Sequence, residues 1–278
     1  MAQNYNHDAF QCYLDGERCY DGRDPHKMEE SQECFSKAIK HDKNFARAHG
    51  YLAYVQATIA ANREGAVDKA LLTRAKKSAN KAVSLDAEDY SNHWDLAYCQ
   101  LYSGDTADCL KSYESALELY EDRTEKLNQR PDFVADMGDS LIYLGEHLRA
   151  IEMLERALRK PDWFYWSLAF AHYCVKDYAA ALKVLGQLYR KPGDPRYPVG
   201  IELVKAAAHV RLAERHPKGS AKAVKHMQLA QSSMSLFMSK TPKWTSKLEK
   251  ERMPFVNAKD SQHWTEALEK AGLPKSKR

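Results

Sequence analysis

Glycine and proline are scarce, at 12 and 10 of 278 residues, so few positions would force a helix to stop. No run approaches the ~20 apolar residues that a membrane span needs, which excludes a helical membrane anchor. Met1 to Phe10 has no basic segment followed by an apolar core, so it does not read as a secretory signal. The six cysteines (Cys12, Cys19, Cys34, Cys99, Cys109 and Cys174) show no C-x-x-C pairing, which argues against a zinc site or a disulfide framework. They read instead as thiols packed like small apolar residues in a reducing, cytoplasmic setting. What remains is an ordinary soluble composition, 44% apolar and 29% charged, rich in the helix formers Ala, Leu, Lys and Glu. These features predict an all-α protein.

Charge is uneven along the chain. From Glu214 to Arg278 there are 14 Lys+Arg against 6 Asp+Glu, which leaves 28 against 32 in residues 1–213. A mildly acidic body is therefore followed by a basic tail. Such a tail could meet nucleic acid or an acidic partner, but a solvated chain end is the plainer reading, and nucleic acid is not an expected partner.

The organising feature is a repeat. A small residue, a large one four later and Ala three after that share one helix face in Ser31–Phe35–Ala38. The spacing recurs in Ala75–Ala79–Ala82, Cys109–Tyr113–Ala116, Ala150–Leu154–Ala157, Ala181–Leu185–Leu188 and Ala223–Met227–Ala230. Each is preceded by a large–small pair: Leu52–Ala53, Leu96–Ala97, Met137–Gly138, Leu168–Ala169 and Ala207–Ala208, with Asp15–Gly16 a degenerate first member. The small residue lets two helix backbones approach and the large one fills the space beside it. Insertions such as "ATIAANREGAVDKA" and "YEDRTEKLNQRPD" fall between the patterned helices, where they are tolerated.

This pattern resembles the tetratricopeptide repeat, whose period is ~34 residues. Gly104 and Gly145 match the family's turn position, and Pro131, Pro161 and Pro192 punctuate the connections. The resemblance implies a right-handed superhelical solenoid of about six helical hairpins over 1–239, with repeats near 8–43, 44–88, 89–130, 131–161, 162–194 and 195–239. Basic C-terminal capping helices and tail are expected over 240–278. There Trp244, Phe255 and Trp264 would pack on the last repeat while Lys247, Lys250 and Lys270 face water. The final helix is expected to start at an Asp260 or Ser261 cap and to stop at Gly272, before Pro274. The opening stretch "DAFQCYLDGERCYDGRDPHKMEESQECFSKAIKHDKNFARAHGYLA" and the closing "MPFVNAKDSQHWTEALEKAGLP" also resemble the repeat region of bacterial adenylate-cyclase-like and TolB-like regulatory proteins, here without their catalytic or DNA-binding domain. That likeness implies a bacterial, regulatory setting and carries no cyclase activity with it.

In the family, the first helix of each hairpin lines the concave side, and those positions map onto this chain as follows. One position holds Tyr13, Gly50, Trp94, Ala135 and Trp166, and the next holds Glu17, Tyr54, Tyr98, Asp139 and Phe170. Further along come Tyr20, Tyr102, Ile142, Tyr143 and Tyr173, while Trp163 takes the first position of its repeat. The candidate partner-binding face is therefore Tyr13, Tyr20, Tyr54, Trp94, Tyr98, Tyr102, Asp139, Tyr143, Trp163, Trp166, Phe170 and Tyr173. Tyr and Trp are enriched in binding hot spots, although large rings also pack helix against helix. Repeats that grip a chaperone's C-terminal carboxylate need Lys, Asn and Arg here, and only Arg47 adds a cation to the inner wall of the first three repeats.

No phosphate-cradling loop, H-E-x-x-H or G-x-S-x-G occurs; "HPKGSAK" lacks the spacing. Asp21, Asp24 and His26 share a presumed loop, where polar turn residues are needed without any metal. His172 and Cys174 point to different sides of one helix, and His49 and His93 read as packing residues in adjacent repeats. The expectation is a non-catalytic scaffold or adaptor, with no cofactor or metal, that binds another protein or peptide or a second copy of itself. Two other readings stand beside it: a ligand-sensing regulatory module for a separate enzyme or transcription factor, and nucleic-acid binding through the basic tail.

Overall fold

A computed structural model of the chain describes residues 6–20, 24–62, 67–122, 132–157, 160, 162–188, 192, 194 and 197–276. Among these residues all regular structure is helical, and the chain divides into two compact units, 1–130 and 131–278. The first contains α1 (His7–Cys19), α2 (Pro25–His41), α3 (Ala46–Asn62), α4 (Lys69–Leu85), α5 (Tyr90–Ser103) and α6 (Thr106–Asp122). The second contains α7 (Phe133–Tyr143), α8 (His147–Arg156), α9 (Asp162–Cys174), α10 (Tyr178–Gly186), α11 (Ile201–Glu214) and α12 (Ala221–Lys240), then α13 (Ser246–Arg252) and α14 (Ala258–Ala271).

Short side chains start many of these helices. Asp24, Asp68, Asp89, Asp177 and Ser220 each accept a hydrogen bond from a backbone N–H of the first turn of α2, α4, α5, α10 and α12. Consecutive helices then pair as antiparallel hairpins, α1 with α2, α3 with α4 and α5 with α6 in the first unit. In the second unit α7 pairs with α8, α9 with α10 and α11 with α12, and neighbouring hairpins stack within each unit. The patterned residues lie where the spacing predicts: Ser31, Phe35 and Ala38 are fully buried, as are Ala75, Ala79, Ala82, Cys109, Tyr113 and Ala116. Backbones approach closely at the small residues. A Cβ on Gly16 would lie 2.8 Å from the Phe35 ring, and one on Gly138 would lie 2.7 Å from Leu154 Cγ.

Three hairpins share one turn. Gly104 and Gly145 adopt positive φ (81° and 85°), as the sequence predicts, and the third member is Lys176 at φ 64°. In each, two backbone N–H groups return to the end of the first helix, as in Gly104 N–H to Leu101 O and Asp105 N–H to Gln100 O.

The connections 42–45 and 86–89 also repeat one another. His49 donates to Lys43 O at 3.0 Å and His93 to Ala87 O at 2.9 Å. These histidines therefore fasten the preceding loop through a ring nitrogen, a polar task that the packing role expected of them did not include. Asp24 is likewise employed as a helix cap, accepting from His26 and Lys27 N–H; Asp21 of the same proposed trio lies outside the described residues. Pro131 and Pro161 also lie outside them.

The C-terminal segment departs from expectation in two ways. Helix α14 begins at Ala258 with Asn257 as its cap, so Asp260 sits inside the first turn, 3.4 Å from His147 Nε2. Asn257 can act because its extended backbone aims the side-chain oxygen at Lys259 N–H. The segment also reaches beyond the last hairpin. Trp244 packs on Phe237 of α12, but Phe255 contacts Tyr143 and Phe170, and Trp264 contacts Phe170 and Tyr173. The physical reason is the set of large rings that α7 and α9 present there, which the segment removes from water.

Candidate functional site

The aromatic positions of the first helices form one cluster in each unit. In the first, Tyr20, just past the end of α1, is 6.0 Å from Tyr54 of α3, and Tyr54 is 4.5 Å from Tyr98 of α5, centroid to centroid. Tyr98 continues to Tyr102 at 5.1 Å, and Trp94 meets Tyr54 edge-on at 5.8 Å. Successive first helices thus bring residues some 40 positions apart into one ladder, because each hairpin offers the same helical phase to its neighbour. Tyr20, Tyr54, Tyr98 and Tyr102 are partly exposed, whereas Trp94 is 2% exposed and forms the floor.

Tyr13 is different. Its ring is buried among Phe35, Phe45 and Tyr51, and its hydroxyl donates to Glu17 at 3.0 Å. Burial pushes its phenol well above the ordinary range. Tyr13 is a core residue, as Trp94 largely is. Its neighbour Tyr51 was absent from the sequence-derived set because it lies off the inward-facing phase of α3.

In the second unit the aromatic positions are covered. Phe170 is fully buried, Tyr143 and Tyr173 nearly so, and the cover is the chain's own C-terminal segment. Val256 N–H donates to Tyr143 O at 3.0 Å, Phe255 lies 5.6 Å from Tyr143 and 5.8 Å from Phe170, and Trp264 lies 4.6 Å from Phe170. Tyr173 hydroxyl donates to His263 O at 3.1 Å, and Arg211 Nη2 donates to the same carbonyl. The segment is anchored from beneath by Glu249, whose buried carboxylate accepts from Trp244 Nε1 at 2.7 Å and from Trp264 Nε1 at 2.8 Å. Burial raises the Glu249 carboxyl while the two indoles pull it down. Tyr143, Phe170 and Tyr173 therefore serve an interface internal to the unit, which no local pattern in α7 or α9 announces.

The remaining candidates of this unit are more open. Trp163 is 37% exposed and Trp166 is partly exposed. Asp139 of α7 accepts from the Ser167 hydroxyl of α9 at 2.6 Å, and burial pushes its carboxyl up to about 6. Burial raises the Cys174 thiol, so it stays protonated at neutral pH. Among the described residues no three of His, Cys, Asp and Glu converge as metal ligands, and no helix is long and apolar enough to cross a membrane. Two depressions in the second unit, one along Phe164, Leu168 and Val184 and one along Leu185, Ile201 and His209, open broadly to solvent.

No protein-family model matches the chain, and no curated protein does. Solved structures do. That reported in the functional characterisation of pilF from Pseudomonas aeruginosa aligns with a TM-score of 0.52 at 14% identity, covering 85% of this chain and 95% of that one. YrrB, a tetratricopeptide protein with an unusual peptide-binding site, aligns at 0.49 and 16% identity over 76% and 99%. A tetratricopeptide repeat protein from Parabacteroides merdae aligns at 0.47 and 14% over 94% and 99%. With the repeated hairpins and their turns, the fold of this chain is of the tetratricopeptide type.

Proposed function

We propose that this chain is a non-catalytic scaffold that holds a segment of a partner protein against the tyrosine ladder of its first unit, Tyr20, Tyr54, Tyr98 and Tyr102. The observation that carries this reading is the corresponding face of the second unit, which already holds a peptide segment. There a backbone hydrogen bond to Tyr143 and two inserted rings, Phe255 and Trp264, secure a stretch of the chain itself. The first unit repeats the aromatic surface with Tyr20, Tyr54, Tyr98 and Tyr102 partly exposed, suited to a segment that brings apolar side chains. Tyrosine provides such contact area at low entropic cost, because few of its bonds rotate. The absence of a carboxylate-gripping set of Lys and Asn at these positions speaks for an apolar segment over an acidic tail.

The test is capture from native lysate, read by mass spectrometry, with wild type compared to a variant carrying Tyr98→Ser and Tyr102→Ser. Both are first confirmed as folded by circular dichroism and thermal melting. A protein retained by wild type, and bound at least about tenfold more weakly by the folded variant when purified, supports the ladder, since hot-spot rings each carry ~1–2 kcal/mol or more. Equal binding by both proteins overturns it.

A further inference from the structure

The open half of the α7/α9 face carries a carboxylate, Asp139, with no cation paired with it among the described residues. A helix turns ~100° per residue, so Trp163, Trp166, Ser167 and Phe170 share one face of α9, and Ala135, Asp139 and Tyr143 share one face of α7. The two helices run in register along this seam: Tyr143 meets Phe170 at 6.3 Å between centroids, and one turn earlier Asp139 meets Ser167 at 2.6 Å. A further turn toward the helix starts stands Trp163, whose carbonyl also accepts from the Ser167 hydroxyl at 3.3 Å. One hydroxyl therefore ties the carboxylate to the turn that bears the exposed tryptophan. The C-terminal segment covers the other end of the seam through Phe255 and Val256.

We propose that Asp139, Trp163 and Trp166 form a subsite for a lysine or arginine side chain of a partner protein. Among the described residues, the Ser167 hydroxyl is the only hydrogen-bond donor to Asp139, and no Lys or Arg is paired with it. A carboxylate hemmed in by protein without a counter-charge is costly, and an incoming cation relieves that cost. Burial raises the Asp139 carboxyl to about 6, so at neutral pH it is mostly ionised and presents negative charge to a ligand. The ring faces of tryptophan attract the same kind of group, most strongly where water is partly excluded. Trp163 has no ring partner among the described residues, and Trp166 lies tilted against Phe170 at 4.8 Å with its indole edge toward Gly200, which has no side chain to cover it. An acidic or phosphorylated segment is disfavoured here by the charge on Asp139.

The test uses the full chain and three blocked pentapeptides with glycine around a central arginine, lysine or citrulline, titrated while the indole signals of Trp163 and Trp166 are followed by NMR. The expected result is a saturable shift of both indole signals with arginine or lysine, weakened by added salt, and none with citrulline, which keeps the shape of arginine without its charge. Asp139→Asn preserves the bond to Ser167 and removes the charge; it should weaken arginine binding about tenfold. Trp163→Ala alters an exposed residue and should weaken it severalfold. The variant with Tyr98→Ser and Tyr102→Ser should bind the probe like wild type, which keeps this subsite separable from the ladder of the first unit. Equal shifts with citrulline and arginine, or undiminished binding by Asp139→Asn with its NMR spectrum otherwise intact, would overturn the proposal.

Discussion

At the scale of single residues, the repeat works through size and backbone freedom. Gly138 lies against Leu154 Cγ and the Ala150 carbonyl, with 2.7 and 3.2 Å available to an added Cβ. Gly138→Ala should therefore destabilise the protein by ~1–3 kcal/mol through overpacking, measured by urea denaturation. Lys176 carries a Cβ in a left-handed conformation that glycine fills in the two sister turns, and Lys176→Gly should stabilise by ~0.5–1 kcal/mol in the same assay. Titratable groups divide by sign. His209 faces His226, Lys205 and Glu202, and His263 faces Arg211, Lys176, Glu214 and Glu266; burial lowers both from 6.5 to about 4. Between these values the unfolded chain holds protons that the folded chain does not, so stability falls as pH drops from 6.5 to 4. Asp139, raised from 3.8 to about 6, opposes this, since there the folded chain binds the extra proton and stability falls as pH rises through that window. Thermal melts from pH 7 to 4 should show a smaller acid loss for His263→Gln than for wild type, and a larger one for Asp139→Asn.

At the scale of elements, the unusual piece is the C-terminal pair α13 and α14. An amphipathic helix is stable in water mainly through what its apolar face covers, and α14 covers Phe170 and Tyr173 with Trp264, itself 1% exposed. Glu249 joins the pair, since both indole N–H groups of Trp244 and Trp264 end on its carboxylate. Glu249→Ala should leave two indole donors without an acceptor, at ~1–3 kcal/mol for each that stays buried. Trp264→Ala should cost ~3–5 kcal/mol by emptying a large core site. Both losses are read by chemical denaturation, and a result below ~1 kcal/mol for Trp264→Ala would mean that α14 rests on the face without stabilising it. Elsewhere the elements were legible locally. The spacing of Ala150 and Leu154, or of Ala181 and Leu185, marks the buried stripe of α8 and α10 because a helix repeats its faces at three and four residues, while Ala157 and Leu188 are buried just past the helix ends. The starting cap of α14 was not legible, because Asn257, Asp260 and Ser261 are all competent caps and only the path of the preceding chain selects one.

At the scale of the whole molecule, residues 1–130 and 131–278 are each compact, with their own stacked hairpins. Stacked repeats draw their stability from nearest neighbours, so each unit should survive separation from the other. Expressed alone, 131–278 should keep the blue-shifted fluorescence of buried Trp264 and unfold cooperatively, and 1–130 should keep its helical circular dichroism. Loss of both signals in either fragment would show that its stability depends on the other unit. The sequence by itself determined the helical class, the repeated hairpin and the Gly104 and Gly145 turns, because periodicity and backbone freedom act within a few residues. It also placed Tyr20, Tyr54, Tyr98 and Tyr102 on one helical phase. Only the tertiary structure decided which of the aromatic candidates remain exposed. Tyr13 and Trp94 sink into the core of the first unit, while Tyr143, Phe170 and Tyr173 are covered by residues 255–264, more than 80 positions away. A helical phase says which way a ring points, but its burial depends on what distant part of the chain comes to rest against it.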